Sequence, residues 1–267
     1  MNVLITGGNG FIAQHLKRYL DPDYTVYALG KDQFNCLDSS AVSLFFDQHN
    51  IDIVIHTALT GREDLFSTDP QYLVDGLLMW RNLYDNRHKF KKLIQFGTVY
   101  ELDLNKNNSH TTVKDILQTS SNSSYGYAKN IISRICLETE NFYNLRVFGN
   151  FHYTEKDTRF FKKLLHSTEF VINEDRLFDY VNLEDILKVV KFIITESPAE
   201  KDINMVYNNK LLLSEHANLF SFVNKINPKI IVNGQGHELT ADGSTVASFN
   251  LIFDGLEKGF NLYRKSL

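Results

Sequence analysis

The sequence predicts an α/β protein: a doubly wound parallel sheet joined to a small C-terminal α/β lobe. Three observations carry that expectation. Short runs that are apolar throughout recur along the first 150 residues, which is how strands buried on both faces read. Between them lie longer segments whose apolar residues fall at helical spacing. Beyond residue 150 the alternation becomes irregular.

In order, Val3-Leu4-Ile5 is the first strand, Thr6 to Ala13 a tight turn, and Gln14 to Leu20 the body of the first helix. Strands then follow at Thr25 to Leu29, Asp52 to His56, Lys92 to Phe96 and Tyr143 to Phe148. They alternate with helices at Ser40 to His49, Pro70 to Arg87 and Tyr125 to Asn141, and repeated βα units build a parallel sheet. Residues 101 to 124 break the rhythm with Leu104-Asn105-Lys106-Asn107-Asn108-Ser109-His110, and a connection of that length is expected to be a functional loop. Further on, Phe170-Val171-Ile172 and Ile230-Ile231-Val232 mix with helices near 158–166, 183–195 and 214–225. The sheet domain is therefore expected over 1–150 with about 176–196, and the second lobe over 151–175 and 197–267.

Composition excludes several classes. With 28 Lys+Arg against 32 Asp+Glu the formal charge is −4, so the chain is no strongly basic nucleic-acid binder. Hydrophobic residues at 43% supply a sizeable core and exclude disorder. The two cysteines, Cys36 and Cys136, suit neither a disulfide framework nor a zinc site, and the nine histidines show no metal-ligand spacing. No metal is expected. Without a signal peptide pattern or a run of about 20 apolar residues, the expected setting is cytoplasmic, away from membranes.

Gly7-x-x-Gly10-x-x-Ala13 lies directly between the first strand and the first helix. There glycines let backbone N–H groups approach a pyrophosphate at the helix N-terminus, while a small third residue lets helix and strand pack closely. This is a dinucleotide-binding candidate on a Rossmann-type sheet. The tip of the second strand reports the cofactor: an acid suits the ribose of NAD, a base the extra phosphate of NADP. Gly30 is followed by Lys31, which points to NADP, while the adjacent Asp32 is the acid that would read NAD instead.

Tyr125-Gly126-Tyr127-Ala128-Lys129 sets Tyr125 and Lys129 four residues apart on one helix face, with Tyr127 turned elsewhere. An ammonium beside a phenol is expected to lower the phenol's pKa and make it a general acid or base.

Thr6-Gly7-Gly8-Asn9-Gly10-Phe11-Ile12, His56-Thr57-Ala58, Tyr125 to Lys129 and Leu145-Arg146-Val147-Phe148 together resemble the signatures of the extended short-chain dehydrogenase/reductases, over most of residues 1–196. The stretch Lys31 to Asp38 through Asp52 to His56 is similar to the nucleotide-sugar 4-ketoreductase branch. The resemblance implies cofactor contacts at Gly7, Asn9, Gly10, Phe11, Ile12, Lys31, Asn35, Cys36, Thr57, Ala58, Tyr125, Lys129 and Phe148. It implies Thr98 as the residue that hydrogen-bonds the reacting oxygen beside Tyr125 and Lys129. Substrate contacts are implied at Tyr100, Asn150, Arg159 and Arg176, the two arginines holding a nucleotide diphosphate. Two positions depart from the pattern: Gly76 stands where an asparagine often begins the helix leading into the site, and Gly149 where another follows the fifth strand.

The implied activity is reduction of the 4-keto group of a nucleotide-diphosphate (6-deoxy) sugar by an NAD(P)-dependent oxidoreductase. The alternatives are an epimerase or 4,6-dehydratase with tightly held NAD, and a non-catalytic nucleotide sensor of the same fold. The family also dimerises through the helices before and at Tyr125, so a homodimer is a possible state.

Overall fold

The computed structural model describes residues 1–59 and 65–266. Its first half alternates as β1 (Asn2–Thr6), α1 (Phe11–Leu20), β2 (Thr25–Leu29), α2 (Ser39–Gln48), β3 (Ile53–His56), α3 (Pro70–Asp85) and β4 (Lys92–Thr98). Next come β5 (Asn108–Thr111), α4 (Val113–Gln118), α5 (Ser124–Glu138) and β6 (Phe142–Val147). The remainder runs β7 (Gly149–Phe151), α6 (Phe160–Leu165), β8 (Glu169–Ile172), β9 (Tyr180–Asn182), α7 (Leu183–Glu196) and β10 (Asp202–Met205). It closes with α8 (Leu213–Asn224), β11 (Lys229–Val232), β12 (Leu239–Ala241), α9 (Ser244–Ser248) and α10 (Gly255–Asn261).

Helices α2, α3 and α5 each start where the sequence supplies a capping side chain. Asp38 accepts from Ala41 N–H at 3.0 Å to begin α2, and Asp69 accepts from Gln71 N–H at 2.9 Å ahead of Pro70 to begin α3. Ser123 accepts from Gly126 N–H at 3.1 Å to begin α5. The end of α7 is served from another element: buried Lys92 donates its ammonium to the carbonyls of Ile193 and Ile194 and, at 2.8 Å, to Ser197 Oγ. A cation at a helix C-terminus is favoured by the helix dipole.

The main sheet has the order β10-β6-β4-β3-β1-β2, with β1–β2, β1–β3 and β3–β4 paired in parallel. The strand order reverses between β1 and β3, and in such sheets ligands bind outside the carboxyl ends of the strands at that point. The doubly wound α/β architecture is thus present.

The chain divides into two units. The first comprises Met1–Asp103, Val113–Arg146 and Val190–Ile203, and its core packs Leu4, Val54 and Leu93 of the sheet against Trp80, Leu83, Phe46 and Phe142. The second comprises Leu104–Thr112, Val147–Val189 and Asn204–Leu267, with Phe151, Phe161, Phe220, Phe260 and Tyr263 at its centre. Burying each such side chain contributes roughly 1.5–3 kcal/mol.

The second unit also holds three two-stranded ladders, β8–β11, β5–β12 and β7–β9. Within the 101–124 connection, expected as a functional loop, the structure places a strand paired to β12 and the short helix α4. Asn108-Ser109-His110-Thr111 carries no apolar alternation, and its partner strand Leu239–Ala241 lies far along the chain, so local sequence gives no hint of it. Among the described residues no helix is long and apolar enough to cross a membrane.

Candidate active site

The Gly-rich turn after β1 is shaped by contacts a side chain would block. Gly7 adopts φ +69°, and a Cβ there would stand 2.8 Å from Ala58 Cα. Gly8 donates its N–H to Leu29 O at 2.8 Å, and a Cβ on it would fall into the Ala28–Leu29 backbone. Gly8 lies outside the spaced-glycine pattern, yet it leaves the least room of the three; the doubled glycine was its signal. Gly10 is the N-cap of α1, and no side chain among the described residues caps it. Half-buried Phe11 and Ile12 open that helix, and the Asn9 amide packs onto Gly30 at the tip of β2.

Beneath the turn, Thr6 ties three sequence-predicted positions together. Its Oγ1 lies 2.7 Å from His56 Nδ1 and accepts from Ala58 N–H at 3.3 Å, while Thr57 Oγ1 donates to Thr6 O at 2.7 Å. Burial and the Lys129 charge push the His56 pKa down to about 3, so the imidazole is neutral.

Lys31 and Asp32 are both exposed in the turn after β2. Asn35 is half-buried and accepts from Leu37 N–H at 3.2 Å. The Cys36 side chain lies in the core, where burial pushes its thiol up to about 12, so it contributes packing rather than reactivity. Buried Asn82 of α3 donates to Cys36 O at 2.8 Å and fastens this segment, a role its sequence context does not announce.

At the end of β4, Thr98 starts a single 3₁₀ turn as a capping box. Its hydroxyl accepts from Tyr100 N–H at 3.3 Å, and Glu101 Oε1 accepts from Thr98 N–H at 2.9 Å. The Thr98 hydroxyl lies close enough to Tyr125 to act on its phenol, and the Tyr100 and Tyr125 rings lie 6.0 Å apart at 63°. Thr98, Tyr100, Tyr125 and Lys129 therefore come together. The expected electrostatics does not hold in this state. Lys129 donates to Phe96 O at 2.9 Å and sits 6.0 Å from the Tyr125 ring centroid, while burial and the Glu101 charge raise the phenol's pKa instead of lowering it. Burial brings Lys129 itself down to about 8, partly opposed by Glu101. Tyr127 is 42% exposed, turned away as its helical offset requires.

The departure at Gly76 has a steric reason. A Cβ on Gly76 would approach the Ala128 Cβ to 3.0 Å, so any larger residue there would press α3 and α5 apart. A narrow cavity beside this contact is lined by His56, Ala58, Met79, Tyr125 and Lys129.

Under the site lies a cluster that sequence reasoning missed. Arg146 donates from Nε to Glu101 Oε2 and from Nη2 to Asp202 Oδ2, each at 2.8 Å, with all three side chains at most 1% exposed. Asn144 Nδ2 donates to Asp202 Oδ1 at 2.9 Å, and Asn130 Nδ2 to Glu101 O at 3.0 Å. Gly97 makes room for it, since a Cβ there would stand 2.5 Å from Glu101 Oε1.

In the second unit Phe148 is buried. Arg159 donates to Asn150 through both the backbone carbonyl, at 2.7 Å, and Oδ1, at 3.1 Å, and approaches Glu155 at 3.6 Å. Arg176 is paired with Glu174, its guanidinium lying against Gly236. Gly149 is tight for the same reason as Gly76: a Cβ there would meet the rings of Phe178 and Tyr180.

A Gly-rich turn into an uncapped helix N-terminus, at the switch point of a parallel sheet, with Tyr and Lys on the helix behind, defines a nucleotide-dependent oxidoreductase fold. The chain belongs to the NAD dependent epimerase/dehydratase family, whose model matches residues 3–208, and it is an enzyme of that family. No curated protein matches it in sequence. Among solved structures it is similar to a GDP-mannoheptose C4 reductase from Campylobacter jejuni with NADP bound, at TM-score 0.83 and 15% identity over 99% of this chain and 97% of that one. A GDP-L-fucose synthetase from Naegleria fowleri bound to NADP gives TM-score 0.81 and 15% identity over 99% and 91%. A dTDP-4-dehydrorhamnose reductase from Bacillus anthracis in complex with NADP gives 0.78 and 14% over 100% and 98%.

Proposed function

We propose that the protein is an NADP-dependent reductase acting on the 4-keto group of a nucleotide-linked, 6-deoxy-type sugar. The observation that carries the reading is the convergence of Thr98, Tyr125 and Lys129, with the Lys129 ammonium 6.0 Å from the phenol ring. Three of the similar solved structures, each with NADP, are reductases or a synthetase of nucleotide sugars, which supports the same choice.

The cradle fits a dinucleotide: Gly7 and Gly8 leave no room for side chains, and Gly10 leaves the start of α1 uncapped by side chains among the described residues. Gly7, Asn9, Gly10, Phe11 and Ile12 would hold the pyrophosphate end, Lys31 the 2′-phosphate, and Thr57 and Ala58 the neighbouring ribose. When bound, the reduced nicotinamide supplies hydride. Tyr125 then delivers a proton to the developing alkoxide, and its raised pKa keeps that proton in place until the alkoxide forms. Thr98 stabilises the same oxygen through its hydroxyl, and Lys129 offsets the charge left on the phenol. Arg159 and Arg176 are the guanidiniums suited to the diphosphate, with Tyr100 and Asn150 further candidates for the sugar.

The dehydratase reading needs a free acid after the threonine. Here Val99 and Tyr100 follow, and both oxygens of Glu101 are engaged by Thr98 and Arg146. The test is absorbance of NADPH on incubation with GDP- and dTDP-linked 4-keto-6-deoxyhexoses, for wild type and Tyr125→Phe. We expect consumption by wild type and at least a ~10²-fold slower rate for the variant, with NADPH affinity nearly unchanged. Equal rates would remove Tyr125 from the mechanism.

A further inference from the structure

Four ionic side chains meet beneath the proposed site, and only two of them belong to the motifs already discussed. Glu101 and Asp202 carry negative charge, Arg146 and Lys129 positive. The Arg146 guanidinium bridges the two carboxylates and cancels one of them. Of the two carboxylates, Glu101 is the one that acts on Tyr125 and Lys129.

Glu101 is the member that reaches the reacting groups. One oxygen receives the Thr98 N–H at 2.9 Å, the other the Arg146 Nε–H at 2.8 Å. The first bond fixes the turn from which the Thr98 hydroxyl meets Tyr125. Gly97 supports it by having no side chain to displace the carboxylate, whose Oε1 would lie 2.5 Å from a Cβ at that position.

We propose that Glu101 is a positioning residue: its carboxylate sets the orientation of Thr98 and keeps the proton on Tyr125 and Lys129 through the charge it holds beside them. The proposal rests on the reductase reading only for its purpose, because the charge effect exists whether or not the chain turns over a given sugar. It agrees with the electrostatics of the neighbours, since Glu101 raises the pKa of both Tyr125 and Lys129. The other titratable groups facing this set are Tyr100 beside Tyr125, His56 and Cys136 beside Lys129, and Asp202 and Arg146 beside Glu101. His56 is neutral and Cys136 is held protonated by burial, so neither supplies the missing charge.

The sign is definite. A nearby anion stabilises the protonated form of a phenol and of an amine alike. Removing it lets both lose their protons at lower pH, by about one pH unit for charges about 12 Å apart at an effective dielectric near 20 and by more for closer ones.

The experiment follows Tyr125 by NMR of protein labelled with [¹³Cζ]tyrosine in the presence of NADP⁺, with Tyr125→Phe assigning the resonance. Wild type, Glu101→Gln and Glu101→Asp are titrated from pH 7 upward. Glu101→Gln should show phenolate about one pH unit earlier than wild type, and Glu101→Asp, which keeps the charge, should restore the wild-type onset. An unchanged onset in Glu101→Gln overturns the proposal, as does an equal shift in both variants. Should Glu101→Gln fail to melt cooperatively, Asp202→Asn replaces it, removing one charge of the cluster without touching the Thr98 N–H bond; its onset must also move to lower pH, and a fixed onset overturns the proposal. Failure of the reductase reading is scored separately, by NADPH consumption with the 4-ketosugar nucleotides, which this titration does not require.

Discussion

Replacing Arg146 by methionine gives the most direct measure of the buried cluster. Methionine keeps much of the side-chain volume but removes both 2.8 Å ion pairs, leaving Glu101 and Asp202 facing each other with no guanidinium between them. Removing one partner of a buried pair costs roughly 3–5 kcal/mol, and two stranded carboxylates place this change near the upper end. A chain of this size loses about 2–4 °C of melting temperature per kcal/mol, so the midpoint should fall by about 8 °C or more. The loss also has a pH signature. Burial already raises the Glu101 carboxyl above its ordinary value against the pull of Arg146, and without Arg146 the rise grows. A carboxyl whose folded-state pKa is raised stabilises the fold while protonated, and that stability is lost as pH climbs from the ordinary carboxyl range through the folded value. Calorimetry of both proteins at pH 5 and pH 8 should therefore give a larger deficit at pH 8. A fall under about 2 °C, or one equal at the two pH values, would refute the assignment of charge to this cluster.

Three further outcomes follow from the same reasoning. If Lys31 binds the 2′-phosphate, wild type should prefer NADPH to NADH by about 10- to 150-fold in Kd, Lys31→Ala should erase most of that, and rising salt should shrink it because the residue is exposed; an NADH preference in wild type would hand the ribose to Asp32. Arg176→Ala should raise KM for the nucleotide sugar more than it lowers kcat, since a diphosphate clamp binds ground and transition states alike, and an unchanged KM leaves Arg176 as the partner of Glu174 alone. Lys92→Met should strip the cap from α7 and lose about 2–4 kcal/mol, read as a midpoint drop of about 4 °C or more, whereas an unaltered melt would show the three contacts to be dispensable.

The sheet and its flanking helices were legible because their signals are local. Val3-Leu4-Ile5 and Ile53-Val54-Ile55 read as buried strands without any partner in view, and the helices between strands read from their own apolar spacing. The glycine turn and Tyr125-x-x-x-Lys129 were legible for the same reason. What stayed hidden depends on residues distant in sequence. Asn108–Thr111 is a strand only because Leu239–Ala241 pairs with it, and Glu101 is only a stray acid until Arg146 and Asp202 meet it. The lowered phenol pKa expected from spacing failed likewise: position on the helix brings Lys129 near the ring, but burial and Glu101 decide the proton.

The sheet takes its edge strand, β10, from the far side of a long excursion through the second unit, because the first unit draws on Met1–Asp103, Val113–Arg146 and Val190–Ile203. A ribosome delivers these pieces in order. When Arg146 emerges, Glu101 is already available, but Asp202 is still 56 residues from synthesis, and β6 has no neighbour on its open edge. The nascent chain therefore cannot complete the charged cluster or close the sheet until β10 has left the exit tunnel. Folding of the first unit is tied to translation of two of the three segments of the second, and a fragment ending near residue 150 would carry the glycine turn and the Tyr125–Lys129 pair on an unfinished sheet.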